Sequence, residues 1–168
     1  MYLDLRTIID VPGSKVSFDY EPDFTEILNE SIKHFFEQPK ATGNVTNRAG
    51  ILLLTADIDL TCECVCYRCA NVFKLPVNKH IKATLTEDIN PCEEHDSDNY
   101  FFQGDKIELD EILRTEFLLN TDERFLCRDD CSGLCQNCGK DLNVDSCSCP
   151  KDIDSRLAKL SELLEGVE

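Results

Sequence analysis

Alternation of apolar and polar residues is the clearest pattern in the sequence, and it is strongest between residues 51 and 85. Apolar side chains or cysteines occupy every second position from residue 54 to 66, and the same period resumes from residue 73 to 85, interrupted by Lys79. A period of two is typical of a strand with one buried face. The pattern predicts two long antiparallel strands, with Cys66 and Cys69 at or near the hairpin end that joins them.

Cys62 and Cys64 lie on the apolar face of the first of these strands. Buried cysteine behaves as a small hydrophobic residue, so we interpret this pair as part of the core. A role as metal ligands is the less favoured alternative.

The first fifty residues show shorter patterns. Residues 3–8 indicate a short strand or a strand and turn, and Pro12-Gly13 separates it from alternating residues 16–20, which predict a second strand. Asp23 can cap a helix that extends to Pro39, because apolar residues recur there at helical spacing. The alternative keeps residues 31–45 as another strand of the sheet.

Residues 87–106 are rich in carboxylates, contain Pro91 and show no sustained period, so they predict a mobile acidic loop. Cys92 and His95 within this loop are interpreted as an incidental pair. A helix follows, for which Asp110 is the predicted cap. Its predicted inner face consists of Ile112, Leu113, Phe117 and Leu118.

A last helix is predicted near the end of the sequence, capped by Asp154 or Ser155 and ended by Gly166. Its apolar stripe can pack within the chain or dock on a partner. The stripe consists of Ile153, Leu157, Leu160 and Leu164.

Six of the eleven cysteines lie between residues 127 and 149. Cys135-Gln136-Asn137-Cys138-Gly139 is a zinc knuckle, in which two thiolates can face one ion and glycine permits the reversal of the chain. Cys147 and Cys149 supply a second pair after a short loop. This spacing favours a tetrahedral zinc site over disulfides, since nothing in the sequence indicates secretion. Four thiolates leave no open position, so the ion is expected to be structural.

Four further cysteines can form a second site. Cys66 and Cys69 make one two-thiolate half-site, and Cys127 and Cys131 make another. Together they suggest a second zinc ion that bridges the sheet to the C-terminal segment. Plain packing of buried cysteines is the alternative interpretation.

The chain has 168 residues, of which 42% are apolar, which is enough for a modest core. We predict an α+β sheet domain over residues 1–120 and a cysteine-rich segment with a terminal helix over residues 121–168. The N-terminus lacks the basic start of a signal peptide, and the longest aliphatic run is residues 51–54. A soluble cytoplasmic protein with no membrane contact is therefore expected.

The net charge of −16 disfavours direct contact with DNA or with bulk RNA backbone, because phosphate binding requires clustered lysine and arginine. The sequence contains no such cluster, and we expect the basic residues not to converge on one surface. The charge suits solubility or a basic protein partner.

No phosphate-binding loop, dinucleotide fingerprint, nucleophile elbow or H-E-x-x-H motif is present in the sequence. We therefore predict that the protein is not an enzyme. A thiol-redox role is the main catalytic alternative, because Cys66 and Cys69 have the spacing of a dithiol pair. A strand hairpin lacks the helix N-terminus that would lower a thiol pKa, which argues against this alternative.

These motifs resemble the bacterial YceD family. The residues that carry the resemblance are Cys66-Tyr67-Arg68-Cys69 after a long alternating strand, a leucine-rich segment at the end, and the pattern C-x3-C-x-G-L-C-x2-C-G-x2-L-N-x3-C-x-C over residues 127–149. The chain departs from the family pattern at Gln136, where proline is usual. Residues 120–124 also replace an apolar, proline-containing approach to Cys127.

The resemblance implies a role in 23S rRNA accumulation and in biogenesis of the large ribosomal subunit, in the bacterial cytoplasm. Members of the family are typically encoded beside a small basic protein of that subunit. We expect an α+β fold with an antiparallel sheet, open or barrel-like, joined to a C-terminal zinc-binding segment and terminal helix. The expected partner is a large-subunit assembly intermediate or a small basic ribosomal protein, with rRNA contacted indirectly; a direct RNA-binding zinc ribbon is the alternative.

Overall fold

A computed structural model describes residues 1–87, 99–102, 104–122 and 124–149. The fold is mostly β, and one α-helix is present in the described residues. In chain order the elements are β1 (Tyr2–Asp4), β2 (Lys15–Tyr20), a 3-10 turn (Thr25–Ile27), β3 (Ile32–Phe35), β4 (Lys40–Arg48), β5 (Ile51–Val65), β6 (Val72–Glu87), β7 (Asn99–Phe102), β8 (Lys106–Glu108) and α1 (Leu109–Leu119).

The antiparallel hairpin of β5 and β6 is the centre of the fold, as the alternation predicted. The pairing runs from Leu52 opposite Leu85 to Val65 opposite Val72. One face of β5 is buried along its whole length, and the other is polar and partly or fully exposed. Since side chains alternate across a strand, the period of the sequence alone fixes which face enters the core.

The main sheet has the strand order β2-β4-β5-β6-β7, and β3 also pairs with β5. All of these pairs are antiparallel except β6 with β7, so the sheet is mixed. A separate two-stranded sheet joins β1 to β8. Among the described strands, β2 and β7 remain unpaired with each other, so the sheet is open and does not close into a barrel.

Helix α1 lies against the apolar face of the sheet. Leu109, Leu113 and Phe117 are fully buried, and the ring of Phe117 packs 5.4 Å from that of Phe24. Lys79 lies on the same side of β6 and donates a hydrogen bond from Nζ to the carbonyl of Asn120, at 2.6 Å. A cation at the C-terminus of a helix donates a hydrogen bond to an otherwise unpaired carbonyl and interacts favourably with the helix dipole.

The helix was predicted correctly, but two of its details were wrong. Leu118 is 48% exposed and does not belong to the inner face. Asp110 lies in the first turn, whereas Glu108 is the N-cap residue and makes no capping hydrogen bond with its side chain. Asp110 instead pairs with the amino group of Met1, which ties the start of β1 to the helix.

The predicted helix from Asp23 to Pro39 is also wrong. Only residues 25–27 form a 3-10 turn, and β3 and β4 follow. Asn29 interrupts a helix because its Oδ1 accepts hydrogen bonds from the backbone amides of Ser31 and Ile32. Such local side-chain bonds compete with helical ones, and pairing of β3 with β5 then fixes the extended conformation. The alternative of a strand over residues 31–45 was closer to the structure.

The predicted loop over residues 87–106 is wrong in part, because β7 lies within it and β8 begins at its end. Cys92 and His95 lie outside the described residues, as does the predicted C-terminal helix. The division between residues 120 and 121 stays a prediction.

Candidate metal centre

Four cysteines distant in sequence meet at the end of the β5–β6 hairpin. We call Cys66, Cys69, Cys127 and Cys131 the hairpin cluster. Their sulfur atoms all lie within 4.8 Å of one another. The Sγ–Sγ distance is 3.8 Å between Cys66 and Cys131 and 3.7 Å between Cys69 and Cys127. Three of the four are buried, so the cluster is closed to solvent on most sides.

A tight turn brings Cys66 and Cys69 to the same side of the hairpin. The amide of Ala70 donates to the carbonyl of Cys66, and the amide of Cys66 donates to that of Asn71, both at 2.9 Å. Ala70 adopts a φ of 57°, in the left-handed region. This conformation costs energy for Ala70, because it has a Cβ atom. The turn that requires it places the thiols of Cys66 and Cys69 towards Cys127 and Cys131.

A second cluster lies entirely within the C-terminal segment. Cys135, Cys138, Cys147 and Cys149 form what we call the ribbon cluster, and their sulfur atoms also lie within 4.8 Å of one another. The amide of Gly139 donates to the carbonyl of Cys135 at 2.8 Å, as expected for a knuckle. Unlike the hairpin cluster, this one is partly or fully exposed.

Both clusters fit a tetrahedral metal ion. Sulfur ligands about 2.3 Å from zinc stand about 3.8 Å apart in a tetrahedron, which matches the two distances in the hairpin cluster. In the ribbon cluster, the Sγ atoms of Cys135 and Cys147 are 3.3 Å apart, somewhat closer than this. Every one of these distances is far longer than the bond of about 2.05 Å in a disulfide. The two clusters could therefore each hold a metal ion.

The thiol pKa values diverge within each cluster. Burial opposes ionisation of Cys66, but backbone hydrogen bonds from Cys127, Cys69 and Arg68 lower its pKa to about 6. Burial and the neighbouring thiols of Cys66 and Cys69 raise the pKa of Cys127 to about 12. Once one thiol is ionised, repulsion disfavours ionisation of the others, so four thiolates require a cation among them.

The ribbon cluster shows the same divergence. Backbone amides of Cys138 and Asn137 lower the pKa of Cys135 to about 6. The adjacent thiol of Cys138 and burial raise the pKa of Cys149 to about 12. Each cluster thus has one thiol that ionises readily and one that does so only beside a positive charge.

Arg68, at the tip of the hairpin, joins the two clusters. Its Nη1 donates to the carbonyl of Cys131 at 2.9 Å, and its own carbonyl accepts the amide of Leu134 at 3.0 Å. Asn71 adds a third link by donating from Nδ2 to Oδ2 of Asp141, at 2.9 Å. The hairpin and the cysteine-rich segment therefore form one interface, which the hairpin cluster spans, while the ribbon cluster lies within the segment.

Asn143 is a supporting residue that sequence reasoning did not assign to the site. Its Nδ2 donates to Sγ of Cys131 at 3.5 Å and to Oδ1 of Asp141 at 2.6 Å. Its Oδ1 accepts the amide of Ser132 at 2.7 Å and Nη2 of Arg128 at 2.8 Å. A residue from the loop of the ribbon cluster thus orients a ligand of the hairpin cluster, as outer-shell partners of metal ligands do. Its place in the motif Gly139-x-x-Leu142-Asn143 was the available signal.

Gly133 and Gly139 allow a matched test of this interface. Both have φ values in the left-handed region, 74° and 71°. A Cβ atom on Gly133 would lie 2.9 Å from the carbonyl oxygen of Arg68, whereas one on Gly139 would meet nothing within 4 Å. Only the first substitution therefore adds a steric conflict with the hairpin to the conformational cost.

We expect Gly139→Ala to weaken metal binding about fivefold, because a residue with a Cβ atom in the left-handed region costs roughly 1 kcal/mol. Gly133→Ala should weaken it at least about 50-fold, because the interface must also separate. Competition with a chromophoric chelator measures both variants. Equal losses in the two variants would contradict the close approach of Gly133 to Arg68.

Cys62 and Cys64 do not join either cluster. Both are buried, and their Sγ atoms lie 3.3 Å apart on the inner face of β5. Burial raises the pKa of both thiols, to about 12 for Cys64. No third ligand accompanies them among the described residues. The prediction that they are small core residues is confirmed.

Comparison with known proteins identifies the family. Residues 54–164 match the family model described as large ribosomal RNA subunit accumulation protein YceD. The chain therefore belongs to the YceD family, as the motifs indicated. Neither the curated proteins nor the solved structures include a significant match to the chain. Among the described residues, no helix is long and apolar enough to cross a membrane.

Proposed function

We propose that the protein is a non-enzymatic factor that supports 23S rRNA accumulation, and so large-subunit biogenesis, in the bacterial cytoplasm. It acts by binding a small basic ribosomal protein, free or within an assembly intermediate. Membership of the YceD family supports the role in accumulation of large-subunit RNA. The observation that supports a basic partner is the excess of 33 acidic over 17 basic residues.

Ion pairs within the chain leave the excess of negative charge unchanged, since each pair joins one acid and one base. Several basic side chains of the described residues are already held by carboxylates, which reduces the positive charge that a partner would meet. These pairs are Arg6 with Asp4, Arg114 with Glu26, Arg128 with Asp130 and Lys140 with Asp145. Complementary charge then favours a polycationic partner and speeds its association.

Zinc is the ion proposed for both clusters. Four thiolates in a tetrahedral arrangement are the ligand set of structural zinc sites, and they leave no position for substrate. In the hairpin cluster the ion would hold the cysteine-rich segment against the sheet. In the ribbon cluster it would stabilise the knuckle itself. Zinc would therefore have a structural role at both clusters, which agrees with a binding protein rather than an enzyme.

The experiment that tests the proposal compares two affinities of the purified full chain. One is for the small basic ribosomal protein whose gene typically adjoins those of the family, and the other is for 23S rRNA fragments. We expect measurable binding to the basic protein that weakens as salt shortens the Debye length from about 8 Å to about 3 Å. An unrelated protein of similar positive charge serves as the control.

Two outcomes would overturn the proposal. The first is tight rRNA binding without measurable binding to the basic protein, which would favour the direct RNA-binding ribbon. The second is equal affinity for the unrelated cationic protein, since net charge alone would then explain the association.

A thiol-redox function is favoured by one observation, the lowered pKa of Cys66. The burial of Cys66 and Cys69, at 1% and 3% exposure, argues against it, because a substrate disulfide must reach the attacking sulfur. Turnover of a disulfide substrate by the metal-free protein, with an added thiol reductant to reduce Cys66 and Cys69 again after each cycle, would revive this function.

A further inference from the structure

Three basic residues gather on the outer face of the main sheet. We call Lys15 on β2, Arg48 on β4 and Lys82 on β6 the basic face. Lys15 is opposite Thr46 in the sheet, two residues before Arg48, and Lys82 is opposite Thr55. Arg48 and Lys82 line the same surface depression. All three side chains are exposed.

Two rows of side chains at this end of the sheet carry no carboxylate among the described residues. One row runs from Lys15 through Thr46, Leu53 and Thr84 to Asn99, across five paired strands. The next row consists of Ser17, Asn44, Thr55 and Lys82. The first acids, Asp19 and Asp57, appear one row further on, where Asp57 already pairs with His80.

The three residues of the basic face differ from four basic residues elsewhere in the described part of the chain. Within the described residues, none of the three forms an ion pair, whereas four other arginines and lysines do. The convergence runs against the expectation from the sequence, which shows no cluster of basic residues. Strand pairing produces it, because side chains remote in sequence become neighbours on one face.

We propose that the basic face binds the phosphodiester backbone of RNA. This goes beyond the proposed function, which concerns the acidic surface and a protein partner. From Lys15 to Lys82 the sheet extends about 16 Å, given strands about 4.8 Å apart and about 3.3 Å per residue. That length accommodates several successive phosphates, and three exposed cations that form no ion pair within the described residues are complementary to them. The family's link to large-subunit RNA makes RNA the nucleic acid concerned.

The residues around the basic face predict the mode of recognition. Asn44, Thr46, Thr55 and Thr84 line the depression and can form hydrogen bonds to phosphates or to 2′-hydroxyl groups. Among the described residues, no aromatic side chain lines the depression, so it offers bases no platform on which to stack. Binding is therefore independent of sequence and depends on charge.

The proposal predicts a specific salt dependence. Three contacts to a single strand give a slope of about −2 for the logarithm of affinity against the logarithm of salt concentration. Affinity for RNA should therefore fall about 20-fold between about 50 mM and 200 mM salt. A fluorescein-labelled single-stranded RNA of about 20 nucleotides, followed by anisotropy, is the probe.

The decisive variant replaces Lys15, Arg48 and Lys82 with Gln. Its matched control replaces Lys33, Lys40 and Lys106 with Gln, which changes the net charge equally at exposed sites away from the basic face. We expect the first variant to lose at least tenfold in RNA affinity at about 50 mM salt, with a slope near zero. The control should stay within about twofold of the unchanged protein, with its slope preserved.

Equal weakening in both variants would overturn the proposal, because net charge alone would then govern RNA binding. Absence of salt-dependent RNA binding by the unchanged protein would do the same. Binding of the basic ribosomal protein is measured on the same variants and should not weaken. Failure of the RNA site is thus distinguishable from failure of the proposed function, which predicts protein binding whatever the RNA result.

Discussion

Removal of metal is expected to unfold residues 125–149 while β4, β5 and β6 keep their structure. Within that segment only Phe125 and Cys131 are among the buried hydrophobic residues. Leu134 and Val144 are exposed, so apolar burial contributes little to folding there. Structural zinc supplies about 10–16 kcal/mol to small metal-dependent folds, far more than this segment can replace.

The sheet has an independent source of stability. Leu54, Ile58 and Ile81 are completely buried in the main core, to which α1 contributes Leu113 and Phe117. These contacts involve neither cluster. Chelation should therefore abolish hydrogen-exchange protection at Leu134, whose amide bonds to Arg68 across the interface, and at Leu142, whose amide bonds to Gly133 within the segment. Protection in β5 should stay intact.

Hydrogen exchange measured by mass spectrometry, before and after treatment with a chelator under reducing conditions, distinguishes the two regions. Restoring zinc should restore protection in the same segment, which controls for irreversible damage. Loss of protection in β5 in parallel with the segment would show a single cooperative unit. The predicted boundary between residues 120 and 121 would then be wrong.

The sequence was most informative where one physical effect dominates. Burial of one strand face imposes a period of two, so β5, β6 and the hairpin that holds Cys66 and Cys69 could be predicted. Cysteine spacing likewise predicted which thiols meet, because short loops limit the distance between ligands. The grouping of Cys66 and Cys69 with Cys127 and Cys131 was predicted by elimination, and the structure brings all four together.

The remaining features depend on contacts between distant residues. The apolar residues from Phe24 to Phe35 fit one helix as well as a 3-10 turn followed by a strand, and pairing of Ile32 with Cys64 decides between them. The sequence did not assign Asn143 a role, because its contact with Cys131 forms only when the chain folds. The period of a sequence describes one segment at a time, whereas these interactions join two segments that are distant in the sequence.

The second large effect that we expect is on the number of metal ions that the folded protein binds. Both clusters have four thiols within 4.8 Å of one another, so the unchanged protein should bind two ions. Replacing Cys66 and Cys69 with Ser removes half of the ligands of the hairpin cluster. Replacing Cys147 and Cys149 with Ser does the same to the ribbon cluster. Each double variant should retain one ion.

The matched control replaces Cys62 and Cys64 with Ala. This variant removes two neighbouring thiols, at 3.3 Å from each other, that have no further ligand among the described residues. It should retain two ions even if loss of buried volume lowers its stability. Exchange protection in β5 shows whether each variant is folded.

Native mass spectrometry of the protein purified under reducing conditions tests the central claim, that eight cysteines form two separate four-thiolate metal centres. The account predicts two zinc ions in the unchanged protein, one in each of the two serine variants and two in the alanine control. A single ion in the unchanged protein, unaffected by replacement of Cys66 and Cys69, would contradict it.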